Sequence, residues 1–203
     1  MKQLKPALAV FLLAALMACS GGDKGKKVMI MASGKLTVDA NDPKNIKLEG
    51  GTTHNEKEIT LAGGEKETLT VQGPEGNKTY DVNESGYYVL NLKPDTLVGG
   101  VVRYGSSGML TNLTGEQVDH IIDSTQKLMM GQNASDANKT YFIAPFTIKK
   151  VSENSGSRVI GPYNSIPRSV DVDESGKSPE MYKLFTNKQK RETLEDLQKQ
   201  RNK

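Results

Sequence analysis

Glu58-Ile-Thr-Leu61 and Glu67-Thr-Leu-Thr-Val71, separated by Gly63-Gly64, decide the fold class of this chain. Alternation with period two puts Ile59 and Leu61 on one face of a strand, and Leu69 and Val71 on the matching face of the next. The same pattern extends outward. Lys35–Asp39 and Ile46–Leu48 precede it, Thr79–Val82 follows, and the more apolar Tyr87–Leu92 and Leu97–Tyr104 come after. Turn residues fall between nearly every pair: Asn41-Asp-Pro43, Gly50-Gly51, Gly73-Pro-Glu-Gly76 and Lys93-Pro-Asp95. Short strands at this spacing, without helices between them, predict a mostly β domain: an antiparallel β-sandwich or barrel. Tyr87–Leu92 is apolar almost throughout, as expected of a central strand buried on both faces.

One segment breaks the period. Thr114-Gly-Glu-Gln117 fits a capping box, and Val118, Ile121, Ile122, Thr125, Leu128 and Met129 recur at helical spacing up to Gly131. This predicts one packed α-helix near 115–130, on a sheet face or closing a barrel end. Tyr141–Ile143, Phe146–Val151 and Arg158–Ile160 return to strand, so the β-rich domain spans 28–160. Residues 161–179 are turn-rich and poor in apolar residues. Pro179 suits a first helical position, with Met181, Tyr182, Leu184 and Phe185 forming one buried turn of a C-terminal helix. The span 161–203 is thus a loop and a polar helix. Seven basic and three acidic groups in 183–203 give that helix a solvated face, or a docking face for a partner or an anionic surface.

The N-terminus sets the compartment. Lys2 and Lys5 precede an apolar run from Ala7 to Met17, then Ala18 and Cys19. That is a secretory signal layout, and the run is too short to span a bilayer. Leu16-Met17-Ala18-Cys19 resembles the lipobox of bacterial lipoproteins. The resemblance implies a signal peptide at 1–18, cleavage before Cys19, diacylglycerol on its sulfur and an acyl chain on its amine. Residues 19–27 would be a lipidated flexible tether, so the membrane is a partner through the N-terminal lipid. Each buried methylene contributes about 0.8 kcal/mol, so three chains hold firmly where one does not. Ser20 in place of aspartate resembles the sorting pattern for the outer membrane, facing the periplasm or the cell exterior. Cys19 is the only cysteine, which excludes an internal disulfide and a catalytic thiol in the mature body. The mature chain would have 185 residues and a net charge near +1, giving no reason to expect nucleic acid.

Candidate chemistry is sparse. Asp171-Val-Asp173-Glu-Ser175-Gly176 matches the first half of a calcium loop, with oxygens of Asp171, Asp173 and Ser175 converging on one ion. Position twelve is Tyr182, where a bidentate carboxylate belongs. Asp81-Val-Asn83-Glu-Ser85-Gly86 nearly repeats the hexapeptide between two strands, which favours turn capping in both places. Calcium is the one candidate cofactor. Ser124-Thr-Gln-Lys127 lies mid-helix and lacks the companions of a penicillin-recognising serine. His120 falls on a charged stripe with Glu116, Asp123 and Lys127, and His54 has no second ligand nearby, so zinc is not indicated. No catalytic set assembles. The expected function is a non-catalytic binding or envelope-assembly lipoprotein with an envelope protein or glycan as partner. The alternative is a carboxylate-based hydrolase or carbohydrate-active accessory protein. An Asp/Glu pair about 5–10 Å apart in a cleft would mark that alternative.

Overall fold

The structure, a computed structural model, describes residues 25–62, 66–102, 114–170, 172, 176 and 178–201. Its strands are β1 (Lys26–Val38), β2 (Asn45–Leu61), β3 (Glu67–Gly73), β4 (Gly76–Val82), β5 (Gly86–Leu92), β6 (Leu97–Val101), β7 (Thr140–Ile143), β8 (Thr147–Ser152), β9 (Arg158–Ile160) and β10 (Met181–Thr186). The helices are α1 (Gly115–Met129) and α2 (Asn187–Arg201). Six strands form one sheet in the order β4-β3-β2-β1-β5-β8, and four form a second in the order β7-β6-β10-β9. The chain is mostly β with two helices, as its alternation predicts.

Every residue of β5 is buried. Tyr88, Leu90 and Leu92 enter one core with Val28 and Ile30 of β1, Ile59 of β2, Leu69 of β3 and Tyr80 of β4. Tyr87 and Val89 enter a second core with Met31, Val151 and the facing side of the four-stranded sheet, namely Leu97, Tyr141, Ile143, Val159, Tyr182 and Leu184. The first core is enclosed because the six-stranded sheet curls nearly into a barrel. Its bend lies where the β1–β2 register shifts between Ser33 and Lys35. Gly34 there has φ +106°, and a Cβ would run into the carbonyl oxygen of Glu49, so only glycine serves. Between the two outer strands, the Lys78 ammonium of β4 sits 4.5 Å from the ring centroid of Phe146, the residue before β8.

Two expectations need correction. The pairing is not wholly antiparallel: β1–β5, β2–β3 and β9–β10 are parallel. Met181–Thr186 is a strand, not the first turn of a helix from Pro179. It lies between β6 and β9 at the centre of the second sheet, and Met181 to Leu184 are all buried. A short apolar run is ambiguous between helix and strand, and pairing on both sides selects strand. The C-terminal helix starts later. The Gln189 amide donates to Thr186 Oγ1 at 3.2 Å, and the Thr186 amide to Gln189 Oε1 at 3.1 Å, a capping box. The Thr114–Gln117 box before α1 forms as predicted. Both helices lie beside the four-stranded sheet and against each other, with Arg201 bonded to Asp119 at 2.5 Å.

Tyr80 is 8% exposed, and its hydroxyl is buried without a partner among the described residues. Leaving such a group unbonded costs about 1–3 kcal/mol. Tyr80→Phe should therefore raise the urea midpoint, by the equivalent of about 1 kcal/mol. A lowered midpoint would show that the hydroxyl is bonded in solution.

Candidate binding cleft

The loop after β9 is tied on two sides. On one side, Lys183 of β10 is buried and its Nζ donates to the carbonyl oxygens of Gly161 (2.5 Å), Pro162 (3.2 Å) and Asn164 (2.7 Å). Gln189 Nε2 adds a bond to Pro162 O at 3.0 Å. On the other side, Asn164 Nδ2 donates to Glu56 Oε2 at 2.7 Å, and the Tyr163 ring meets the His54 ring edge-on at 4.7 Å. The glutamate packs so closely on Gly161 that any Cβ there would overlap its carboxylate.

Behind these contacts runs a polar chain. Lys93 Nζ donates to Ser33 Oγ at 3.3 Å and to His54 Nδ1 at 3.1 Å, while His54 Nε2 lies 2.5 Å from Glu56 Oε1. An ammonium offers only protons, so Nδ1 accepts and the ring proton sits on Nε2, facing the carboxylate. Lys93 is 5% exposed; burial pushes its pKa down against the pull of Asp95 and Glu56.

The loop fastened in this way forms one wall of a cleft of about 820 Å³. β6 residues Gly99–Val101 with Val102, and Lys183 and Phe185 of β10, make its floor. Ile166, Pro167 and Arg168 form one wall, Leu128 of α1 with Asn138 and Thr140 another, and Lys190 of α2 closes the end. Among the described residues, three cations line the cleft and no carboxylate does. The Lys183 and Lys190 ammoniums lie 4.9 and 4.1 Å from the Phe185 ring centroid. Burial lowers both lysine pKa values; for Lys183, Glu56 pulls back up and Lys190 pushes further down.

The half-buried Glu180 and the exposed Glu58 are committed to other partners. Glu180 is bonded by Lys139, by Tyr182 Oη at 2.5 Å and by Ser152 Oγ at 3.4 Å. Burial pushes its pKa up, but these bonds outweigh burial and leave it below the ordinary 4.5. Glu58 accepts from the buried Tyr87 hydroxyl and faces Lys27 at 3.7 Å.

Cys19, Asp171, Asp173 and Ser175 lie outside the described residues. Among the described residues, no group of three or more His, Cys, Asp or Glu side chains could hold a metal ion. The related hexapeptide at Asp81 is a turn: Asp81 bonds Thr68 and Lys66, and Tyr88 Oη donates to the Glu84 carbonyl. Ser124 Oγ donates to the Ile121 carbonyl, and Lys127 pairs with Asp123. The partners of His54 are Glu56, two residues on in β2, Lys93 in the turn after β5 and Tyr163 in the loop after β9, so no local motif announces the set. The cleft's cations had a faint signal in the basic C-terminal segment. Compared with known protein families, curated proteins and solved structures, the chain matches none.

Two outcomes are expected. Glu56→Ala should release the loop, so trypsin should cut after the exposed Arg168 several-fold faster, while cutting after Arg158 in β9 changes less; equal acceleration at both would indicate global loosening. The depressed Glu180 pKa contributes stability above its unfolded value, lost as pH falls through the folded value. Glu180→Gln should therefore lose less stability than the parent between about pH 5 and pH 3 in urea titrations. An unchanged acid slope would show that Glu180 gains nothing from its partners.

Proposed function

We propose that the chain is a non-catalytic binding protein of the bacterial envelope, anchored by a lipidated Cys19 and taking its ligand in the cleft over the four-stranded sheet. The observation that carries this reading is the cleft itself. It is concave, about 820 Å³, walled by apolar side chains and provided with a few oriented polar groups. Ligand sites of about 300–1,000 Å³ have that composition. A loop anchored to both sheets gives the wall the rigidity that binding without large reorganisation needs.

The carboxylate-based alternative has less support. Glycoside hydrolysis needs one carboxyl whose pKa is raised, so that it stays protonated at working pH. Glu180, the carboxylate with the most bonds from neighbouring side chains, is shifted the other way. Glu56 is held between His54 and Asn164, bonded on both oxygens.

The N-terminal resemblance supports an anchor at the outer membrane, facing the periplasm or the exterior, and the larger partner in this reading is an envelope protein or glycan. Cys19→Ala should abolish acyl labelling and release the protein from the membrane fraction; continued retention would sink the anchor. Cross-linking in intact cells through a photoreactive residue at Ile166 should give a reproducible envelope adduct that Phe185→Ala weakens. An adduct indifferent to Phe185→Ala would remove the cleft from the proposal.

A further inference from the structure

Among the described residues, the charge lining the cleft is of one sign, in a way the fold does not require. Lys183 has a structural use, because its three protons go to three loop carbonyls. Lys190 and Arg168 have no such use: among the described residues, no carboxylate pairs with either. The Lys190 ammonium is drawn in over Phe185, where burial works against its charge. Lys190 is half-buried and Arg168 exposed, and with Lys183 they put three positive groups around one concavity, an arrangement that favours an anion there. The remaining surface is of another kind. Leu128, Val101 and Ile166 face the same space, and Ile166 is 41% exposed, among the most exposed large apolar side chains described.

Resting on the cleft as the binding site, we infer that its ligand is an amphipathic organic acid. Its carboxylate is held by Lys190 and Arg168, and its apolar body lies against Leu128, Val101 and Ile166. The carboxylate supplies the charge that Lys190 lacks, in a site walled by low-dielectric side chains where an ion pair is stronger than in water. The apolar body buries the exposed Ile166 surface. A sugar acid answers only half of this pattern. Saccharide rings bind on bare aromatic faces, and the Phe185 ring is covered by two ammoniums. The neutral counterpart of the same acid answers the other half and leaves Lys190 uncompensated.

Three probes separate these terms: 4-phenylbutanoate, its neutral amide, and glucuronate, which carries the same charge on a hydroxylated ring. The full-length acylated protein in lipid nanodiscs is titrated calorimetrically, with empty nanodiscs as the blank. One site is expected for 4-phenylbutanoate, with affinity about tenfold or more above both the amide and glucuronate. Lys190→Met keeps the packing over Phe185 and removes the charge. It should bring the acid down to the level of the amide and leave the amide unchanged, whereas Lys188→Met, outside the cleft, should change neither. Equal binding of acid and amide, or an undiminished gap in Lys190→Met, overturns the assignment of charge. Glucuronate binding as well as 4-phenylbutanoate overturns the apolar body in favour of a sugar acid. Failure of all three probes, while the Ile166 adduct still depends on Phe185, overturns the ligand class and spares the cleft as a binding site.

Discussion

A strand with no polar face has to be covered twice, and β5 is that strand. Its even residues close the core of the curled sheet, and its odd residues Tyr87 and Val89 open the core shared with the second sheet. The one polar side chain on it shows how strict the condition is. Asn91 is fully buried, and its amide donates to the carbonyls of Asp95, Ile143 and Ala144 while its oxygen accepts from the Lys93 amide. Those bonds hold the turn after β5 and the end of β7 against the strand. The turn in turn carries Lys93, on which the His54–Glu56 chain depends. A single buried strand therefore sets the spacing of two cores and the position of the polar network beside the cleft.

The parts legible in the sequence were those whose signal is local. Alternation located most strands, the apolar character of Tyr87–Leu92 revealed its double burial, and Thr114–Gln117 marked the start of α1. Met181–Thr186 is ambiguous in sequence because six residues rich in apolar side chains satisfy either period. The resolving clue was also local: Thr186 and Gln189 form a second capping box, which puts the helix start after the apolar run. Parallel pairing left no such clue. Whether β1 finds β5 or another strand depends on contacts about sixty residues apart. The same distance hid the site. His54 gains its meaning from Lys93, Glu56 and Tyr163, and only one of these is a near neighbour in sequence.

Lysine does more structural work here than its usual place on the surface implies. Lys93 and Lys183 are both buried, and burial lowers the pKa of each. Each is nevertheless surrounded by acceptors: an imidazole and a hydroxyl for one, three carbonyls for the other. Lys183 holds the loop after β9 directly, and Lys93 supports the His54 ring on which Tyr163 of that loop packs. Lys190 lies over the same Phe185 ring as Lys183, but among the described residues no hydrogen-bond acceptor meets its ammonium, so the proposed ligand charge falls to it.

The position of β1 carries a mechanical consequence. It is the first described strand, and it lies in the middle of the six-stranded sheet, paired antiparallel with β2 and parallel with β5. Ladder bonds run across the strands. A pull on Lys26 along the strand axis therefore loads the bonds to β2 and to β5 in shear, all at once. A terminal strand at an open edge, pulled across its axis, would instead peel away one bond at a time. Under the proposed anchor at Cys19, the tethered end of the chain is thus the end at which the fold is best placed to bear tension.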